Sequence, residues 1–282
     1  MRNLRGRWLV ALMALVAALA LTAAGCGDDD DNGGGGGTTG GQAAQFDTIE
    51  AGTLTIGSDI PYKPFEFGRA PDYEGFDVDI VNEVGKRIGL KPKFVKTPFD
   101  TIFRNLVQGK FDMVASSVTI TDERKQTVDF SVPYFPADQS LMVKKGSDIK
   151  TVDDVAGKVV GAQLGTTGAD YAKDKTDAKT VRTYDLVDDA FQALDAGQVE
   201  AVINDFPVSK FAEQEKPELQ VVQTIPTGEQ YGLAFPKGSD KLRQAVDDAL
   251  NAIKQDGTYT QIYKKWFKQD PPDAILRTGA AG

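Results

Sequence analysis

Apolar and polar positions along this chain follow two alternating rhythms. Short runs at 54–57, 93–95 and 111–115 are rich in β-branched and apolar residues and bounded by turn formers, which predicts strands. Between them, Phe76, Ile80, Val81, Val84 and Ile88 recur at helical spacing with Gly85 inside the pattern, and 99–107 predicts a second helix. After an extended segment at 141–143 the cycle begins again. A short helix at 152–155 precedes strand 159–163, helix 169–173, strand 180–184, helix 186–194, strand 199–203 and helix 206–213. A late strand at 231–236 leads into the strongest amphipathic stripe, Leu242, Ala245, Val246, Ala249, Leu250 and Ile253, which stops at Gly257. A final amphipathic turn carries Ile262, Tyr263, Trp266 and Phe267. These stripes are core. Strand–helix alternation over some 220 positions predicts an α/β protein of one large or two small domains, with parallel sheets and helices on both faces.

The ends of the chain depart from this rhythm. Arg2, Arg5 and Arg7 precede an acid-free apolar run at 8–24 and then Gly25-Cys26, the order of a secretory leader, so 1–25 is expected to be a signal peptide. An uncleaved membrane anchor is the rival reading of the same run. Cys26 follows Ala23-Ala24-Gly25 and resembles a bacterial lipobox cysteine, with Ala23 where such sites prefer Leu. Residues 26–46 hold an Asp run and a Gly run that bury nothing, which predicts a hydrated tether behind a lipidated Cys26. Anchor, tether and globular domain together describe a protein held at the outer face of a membrane. Residues 271–282 are expected to fray.

Composition then removes whole classes of chemistry. The formal charge is −9, and without the three leader arginines 29 basic side chains face 41 acidic ones, near −12. That balance argues against nucleic acid or an anionic lipid face as a ligand. The chain has no His, and its one Cys is claimed by the anchor. A Ser-His-Asp triad, a cysteine nucleophile, a His/Cys metal site and an internal disulfide are all excluded. No Gly-rich phosphate loop follows a strand, so neither a metal nor a cofactor is expected, and a binding protein is favoured over an enzyme.

Candidate chemistry sits where strands end. The segment Ser116-Ser117-Val118-Thr119-Ile120-Thr121-Asp122-Glu123-Arg124 puts four hydroxyls and a guanidinium just after strand 111–115, with Thr121 as N-cap of a short helix. Backbone N–H groups, hydroxyls and a planar fork suit a carboxylate; a polar loop capping its own backbone is the alternative. Loops at 58–62, 165–168 and 204–205 end other strands, and ligands of α/β folds bind at such ends.

These residues carry a resemblance. Gly75-Phe76-Asp77-Val78-Asp79-Ile80, Asp112 with 116–124, Gly165-Thr166-Thr167, Tyr231-Gly232 with Phe235-Pro236-Lys237-Gly238, and Asp256-Gly257-Thr258-Tyr259 leading to Trp266 occur in order over 54–267. The chain resembles polar amino-acid-binding proteins of ABC importers, the bacterial extracellular solute-binding family 3. It is most similar to glutamine-binding proteins through 119–125 and 262–267, here in lipoprotein form. The resemblance implies a two-lobe periplasmic-binding fold of type II with parallel-rich sheets flanked by helices. Two hinge crossovers are implied, near 135–139 and 228–231. Lobe 1 would be discontinuous, 47–135 plus 231–270, and lobe 2 would be 136–230.

It also implies a site. Arg124 would fork onto a ligand α-carboxylate, with the hydroxyl and N–H of Thr119 beside it. Thr166 and Thr167 would close on that carboxylate from lobe 2, simple N-capping being their alternative. Asp205 would take the α-ammonium, aided by the carbonyl of Ser117 and, less directly, Ser116. Tyr62 and Phe99 would wall the aliphatic part, with core packing the alternative for Phe99. Asp59 would meet the ligand side chain, favouring an amide or cation and opposing a carboxylate. Gln163 and Asn204 stand where glutamine-binding relatives carry a cation and a His, which leaves arginine, lysine, histidine or asparagine open beside glutamine.

The implied function is extracytoplasmic capture of a polar or basic L-amino acid by lobe closure, and delivery to ABC permease subunits by a lipid-anchored monomer. Two alternatives remain. A cyclohexadienyl-dehydratase-like enzyme on the same fold would need an acid/base in the cleft. A sensory ectodomain would need a following membrane span and signalling domain.

Overall fold

The computed structural model describes residues 46–277. The expected leader, Cys26 and most of the tether lie outside them. Two five-stranded sheets organise the described chain. The first runs Lys91–Lys96, Thr53–Ser58, Met113–Val114, Ala234–Pro236, Val128–Phe130. The second runs Thr180–Tyr184, Val159–Gln163, Ala201–Asp205, Gln139–Lys144, Leu219–Ile225. In each, the first three strands are mutually parallel and the last two pair antiparallel. The sheets are therefore mixed, with three of the five strands in each mutually parallel. The cause is topological. Gln139–Lys144 and Ala234–Pro236 each enter a sheet from a crossover and run against the strands beside them.

The crossovers themselves pair. Phe135–Pro136 lies antiparallel to Gln230–Tyr231, with Phe135 opposite Tyr231. Both rings enter an aromatic cluster in which Phe135 stacks on Tyr231 at 5.7 Å and meets Phe65 edge-on at 4.9 Å. Phe76, Tyr263 and Phe267 complete it, so the connection between the sheets is itself part of a core. Cross-strand aromatic packing of this kind stabilises beyond the area it buries.

The helix Phe76–Ile88 shows why local sequence yields this packing. Phe76, Ile80, Val81 and Val84 form its buried stripe, and acidic residues in its first turn and basic ones in its last suit the helix dipole. At Gly85 a Cβ would lie 2.6 Å from the Pro92 ring, so the helix sits closer to the following strand than any larger residue allows. Asp77 falls on the same buried face, a polar exception that marks the site below. Residues 271–277, expected to fray, instead carry a short helix, Asp273–Leu276, whose Ile275 is buried in the main hydrophobic core. Among the described residues, no helix is long and apolar enough to cross a membrane.

Candidate functional site

Parallel register brings strand ends together. Ile56 pairs with Met113 and Gly57 with Val114, so the segments at 58–62 and 115–119 leave the first sheet at one edge. Val202 pairs with Gly161, which does the same for 163–167 and 204–205 in the second. These edges face each other across a cleft. Eleven of the twelve sequence-predicted residues line it: Asp59, Tyr62, Phe99, Ser116, Ser117, Thr119, Arg124, Gln163, Thr166, Thr167 and Asp205. Asn204 does not. The Asn204 amide oxygen lies 3.2 Å from the Tyr62 hydroxyl, whose shorter bond is to Asp205.

Thr121 caps the helix Asp122–Lys125 by accepting from the Arg124 backbone N–H at 3.1 Å, which fixes where the Arg124 side chain begins. The guanidinium then lies over two rings, Phe99 at 5.4 Å and Phe103 at 5.0 Å. One Nη donates to the Thr119 carbonyl at 2.8 Å and the other to the Gly165 carbonyl at 3.1 Å. A guanidinium has five N–H donors, so three remain for an anion. Burial lowers the Arg124 pKa, while Asp205 and Glu229 act the other way. The Gly165 contact depends on a tight turn: its φ is +78°, and a Cβ there would approach the Asp100 backbone to 3.2 Å.

Across the cleft Asp205 is buried at the end of its strand. Its carboxylate accepts from Tyr62 at 2.7 Å, from Gln139 Nε2 at 2.5 Å and from the Tyr231 hydroxyl. Burial pushes its pKa up to about 6, against the pull of these donors. Tyr62 is thus more than an apolar wall; it donates across the lobes. Thr166 is an N-cap, accepting from the Ala169 N–H at 3.2 Å and donating to the Gln163 carbonyl at 2.8 Å. Its hydroxyl is committed within its own loop, as the capping alternative holds.

At the far end, Asp59 Oδ2 accepts from Gln163 Nε2 at 2.5 Å, while Oδ1 is buried and finds no partner among the described residues. Burial pushes the Asp59 pKa up to about 7. Beneath lies a polar layer. The Ser116 hydroxyl accepts from the Asp59 N–H and donates to Glu66, both at 2.9 Å. The Ser117 N–H donates to Asp77 at 2.9 Å, and Tyr134 donates to the same oxygen at 2.7 Å. Glu66 and Asp77 are both buried, and both pKa values rise through desolvation, that of Asp77 to about 6. This layer holds Ser117 at a φ of 49°, a left-handed conformation rare for serine. It commits the Ser116 side chain and leaves the Ser117 hydroxyl buried without a partner among the described residues.

Sequence reasoning missed Glu229, Gln139, Glu66 and the roles of Asp77 and Tyr231. Only Asp77 left a trace, as an acid on an apolar helical stripe. The lobes meet through Gln163–Asp59, Tyr62–Asp205, Arg124–Gly165 and a surface ion pair, Lys63–Glu215 at 2.8 Å.

Comparison with known proteins agrees with this geometry. The chain is 37% identical over 206 residues to the ABC transporter glutamine-binding protein GlnH of Bacillus subtilis, covering 72% of this chain and 76% of that one. It is 34% identical over 225 residues to the L-cystine-binding protein TcyJ of Escherichia coli, covering 78% and 85%. The solved arginine-, lysine-, histidine-binding protein ArtJ of Geobacillus stearothermophilus superposes with a TM-score of 0.75 at 38% identity, over 80% of this chain and all of that one. Residues 54–269 match the bacterial extracellular solute-binding proteins, family 3, and the chain belongs to that family.

Proposed function

We propose that this protein captures a polar or basic L-amino acid between its lobes and delivers it to the permease of an ABC importer. The observation that carries the reading is one cleft with opposite charges on opposite walls. Arg124, with three uncommitted N–H donors, faces from the first lobe, and the buried carboxylate of Asp205 faces from the second. An α-carboxylate and an α-ammonium on one carbon match that pair, and neither wall alone provides both. Arg124 and the N–H groups of Thr119 and Thr167 take the carboxylate; Asp205 and the Ser117 carbonyl take the ammonium. Phe99 and Tyr62 flank the aliphatic stem. A bound ligand bridges the walls and so favours the closed state.

The ligand side chain reaches Asp59 and Gln163. The unpartnered Asp59 Oδ1 asks for an N–H donor or a cation, which favours arginine, lysine, histidine or glutamine and opposes glutamate and aspartate. The names of two relatives, a glutamine-binding protein and an arginine-, lysine-, histidine-binding protein, fall in the same range, and that of a third, an L-cystine-binding protein, lies outside it. Asn204 acts through Tyr62 rather than on the ligand. Residues 47–135 plus 231–270 and residues 136–230 are the moving lobes. Lipidation at Cys26, a 26–46 tether and a monomeric state complete the reading: a carrier anchored at the outer membrane face beside its permease.

The test is calorimetry against the twenty amino acids with wild type and two variants. Arg124→Ala should abolish binding of all of them, and Asp59→Asn should alter the preference among them. Unimpaired binding by Arg124→Ala refutes the site. Mass spectrometry of membrane fractions reads the diacylated Cys26, and a chain found only unmodified and soluble refutes the anchor.

A further inference from the structure

Glu229 belongs to no part of the site derived above, yet its carboxylate touches both walls. It leads into the crossover strand Gln230–Tyr231, and its carbonyl accepts from the Ala137 N–H of the other crossover at 2.9 Å. Its Oε2 accepts from the Thr119 hydroxyl at 3.0 Å in the first lobe and from the Thr167 hydroxyl at 2.7 Å in the second. Gln139 Nε2, which donates to Asp205, also donates to Glu229 at 3.2 Å.

A hydroxyl has one proton and two lone pairs. Thr119 and Thr167 commit their protons to Glu229, so each presents only lone pairs to the cleft. The Gln139 amide commits its donors to the two carboxylates, and the Tyr62 and Tyr231 hydroxyls commit theirs to Asp205. The wall around Asp205 is thereby stripped of donors. We infer that Glu229 is a positioning residue that turns the Thr119 and Thr167 hydroxyls into acceptors and so selects ligands that carry an α-ammonium. The inference rests on the amino-acid reading and revises one detail of the sequence expectation. The Thr119 hydroxyl serves the ammonium, and only its N–H serves the carboxylate.

Glu229→Gln keeps the shape but offers an amide that can donate to the threonines and reverse their polarity. The probe is whichever of L-arginine, L-lysine, L-histidine and L-glutamine binds wild type most tightly, beside its des-amino analogue (δ-guanidinovaleric acid for arginine, glutaramic acid for glutamine). Calorimetry should show Glu229→Gln weakening the amino acid about tenfold, with the analogue changed less than about twofold, so that selectivity for the ammonium narrows. Thr119→Val should narrow it likewise, and Thr119→Ser should restore it. In the double variant Glu229→Gln/Thr119→Val the two losses should multiply to less than their product. Equal weakening of amino acid and analogue, or fully multiplicative losses, overturns the inference and leaves Glu229 a crossover strut. If Glu229→Gln fails to fold, the contrast between Thr119→Val and Thr119→Ser decides it: equal selectivity in the two overturns the inference. Wild type that binds none of the four amino acids refutes the amino-acid reading instead.

Discussion

Asp59→Asn isolates the cost of a carboxylate buried with one oxygen unpartnered. Asp59 is 2% exposed, and burial raises its pKa from 3.8 to about 7. The folded state therefore holds this proton more tightly than the unfolded chain does. Stability from this group is full below the unfolded value and declines as pH rises from about 4 to about 7. One pKa unit corresponds to about 1.4 kcal/mol, so the ionised group weakens the unliganded fold by about 4 kcal/mol above neutrality and by under about 2 kcal/mol near pH 5. Asn at this position still accepts from Gln163 but carries no charge. The stability of the variant relative to wild type should then grow by about 1.4 kcal/mol per pH unit over that window and level off above it. In a domain of this size each kcal/mol is worth about 2–4 °C. Denaturant melts of both proteins without ligand, at intervals from about pH 5 to about pH 8, read the slope directly. A stability difference that does not change with pH refutes the argument, whatever its sign, because constant packing effects of the substitution cancel in the slope. The same variant should lose more affinity for L-arginine than for L-glutamine, since only the former brings a cation to the vacated charge.

Binding should also titrate. Asp205 receives an ammonium only when ionised and its pKa is about 6, so calorimetric affinity should fall by up to tenfold per pH unit below that value; a flat profile down to about pH 4.5 contradicts its role. Arg124→Lys keeps the charge but loses the fork, the two backbone carbonyl contacts and the stacking on Phe99 and Phe103, and should weaken amino-acid binding by about 100-fold or more; an effect under about fivefold shows that a point charge suffices. Ile275→Ala should cost about 2–4 kcal/mol in denaturant melts, because Ile275 is buried in the main hydrophobic core, whereas a frayed tail predicts no change.

What the sequence made legible follows from how local each determinant is. Strand-end loops, the Thr121 cap and the Asp122–Lys125 helix are set by neighbours within a few residues, and eleven cleft residues could be named from such loops and a family resemblance. The strand Leu219–Ile225 escaped because its register shifts between Val221 and Gln223, and a bulge breaks the two-residue rhythm by which a strand is recognised. Asn204 is buried beside Asp205 and contacts the Tyr62 hydroxyl without lining the cleft, a distinction that adjacent positions in a sequence do not carry. The tail reads as polar and Pro-rich, and the two adjacent apolar residues that dock it, Ile275 and Leu276, are too few to form a pattern.

Glu229 and Gln139 were invisible for a different reason, and it bears on how the site works. Neither lies at the end of a parallel strand; both flank the crossovers, and the antiparallel pairing of Phe135–Pro136 with Gln230–Tyr231 decides where they point. Arg124 lies on the wall of the first sheet and Asp205 on that of the second. Gln139 pairs with Asp205 in the second sheet, whereas Glu229 bonds to both walls, through Thr119 of the first and Thr167 of the second. Opposite charges stand on opposite walls at Arg124 and Asp205, and the Glu229 carboxylate beside the crossover strand ties both walls together through the Thr119 and Thr167 hydroxyls.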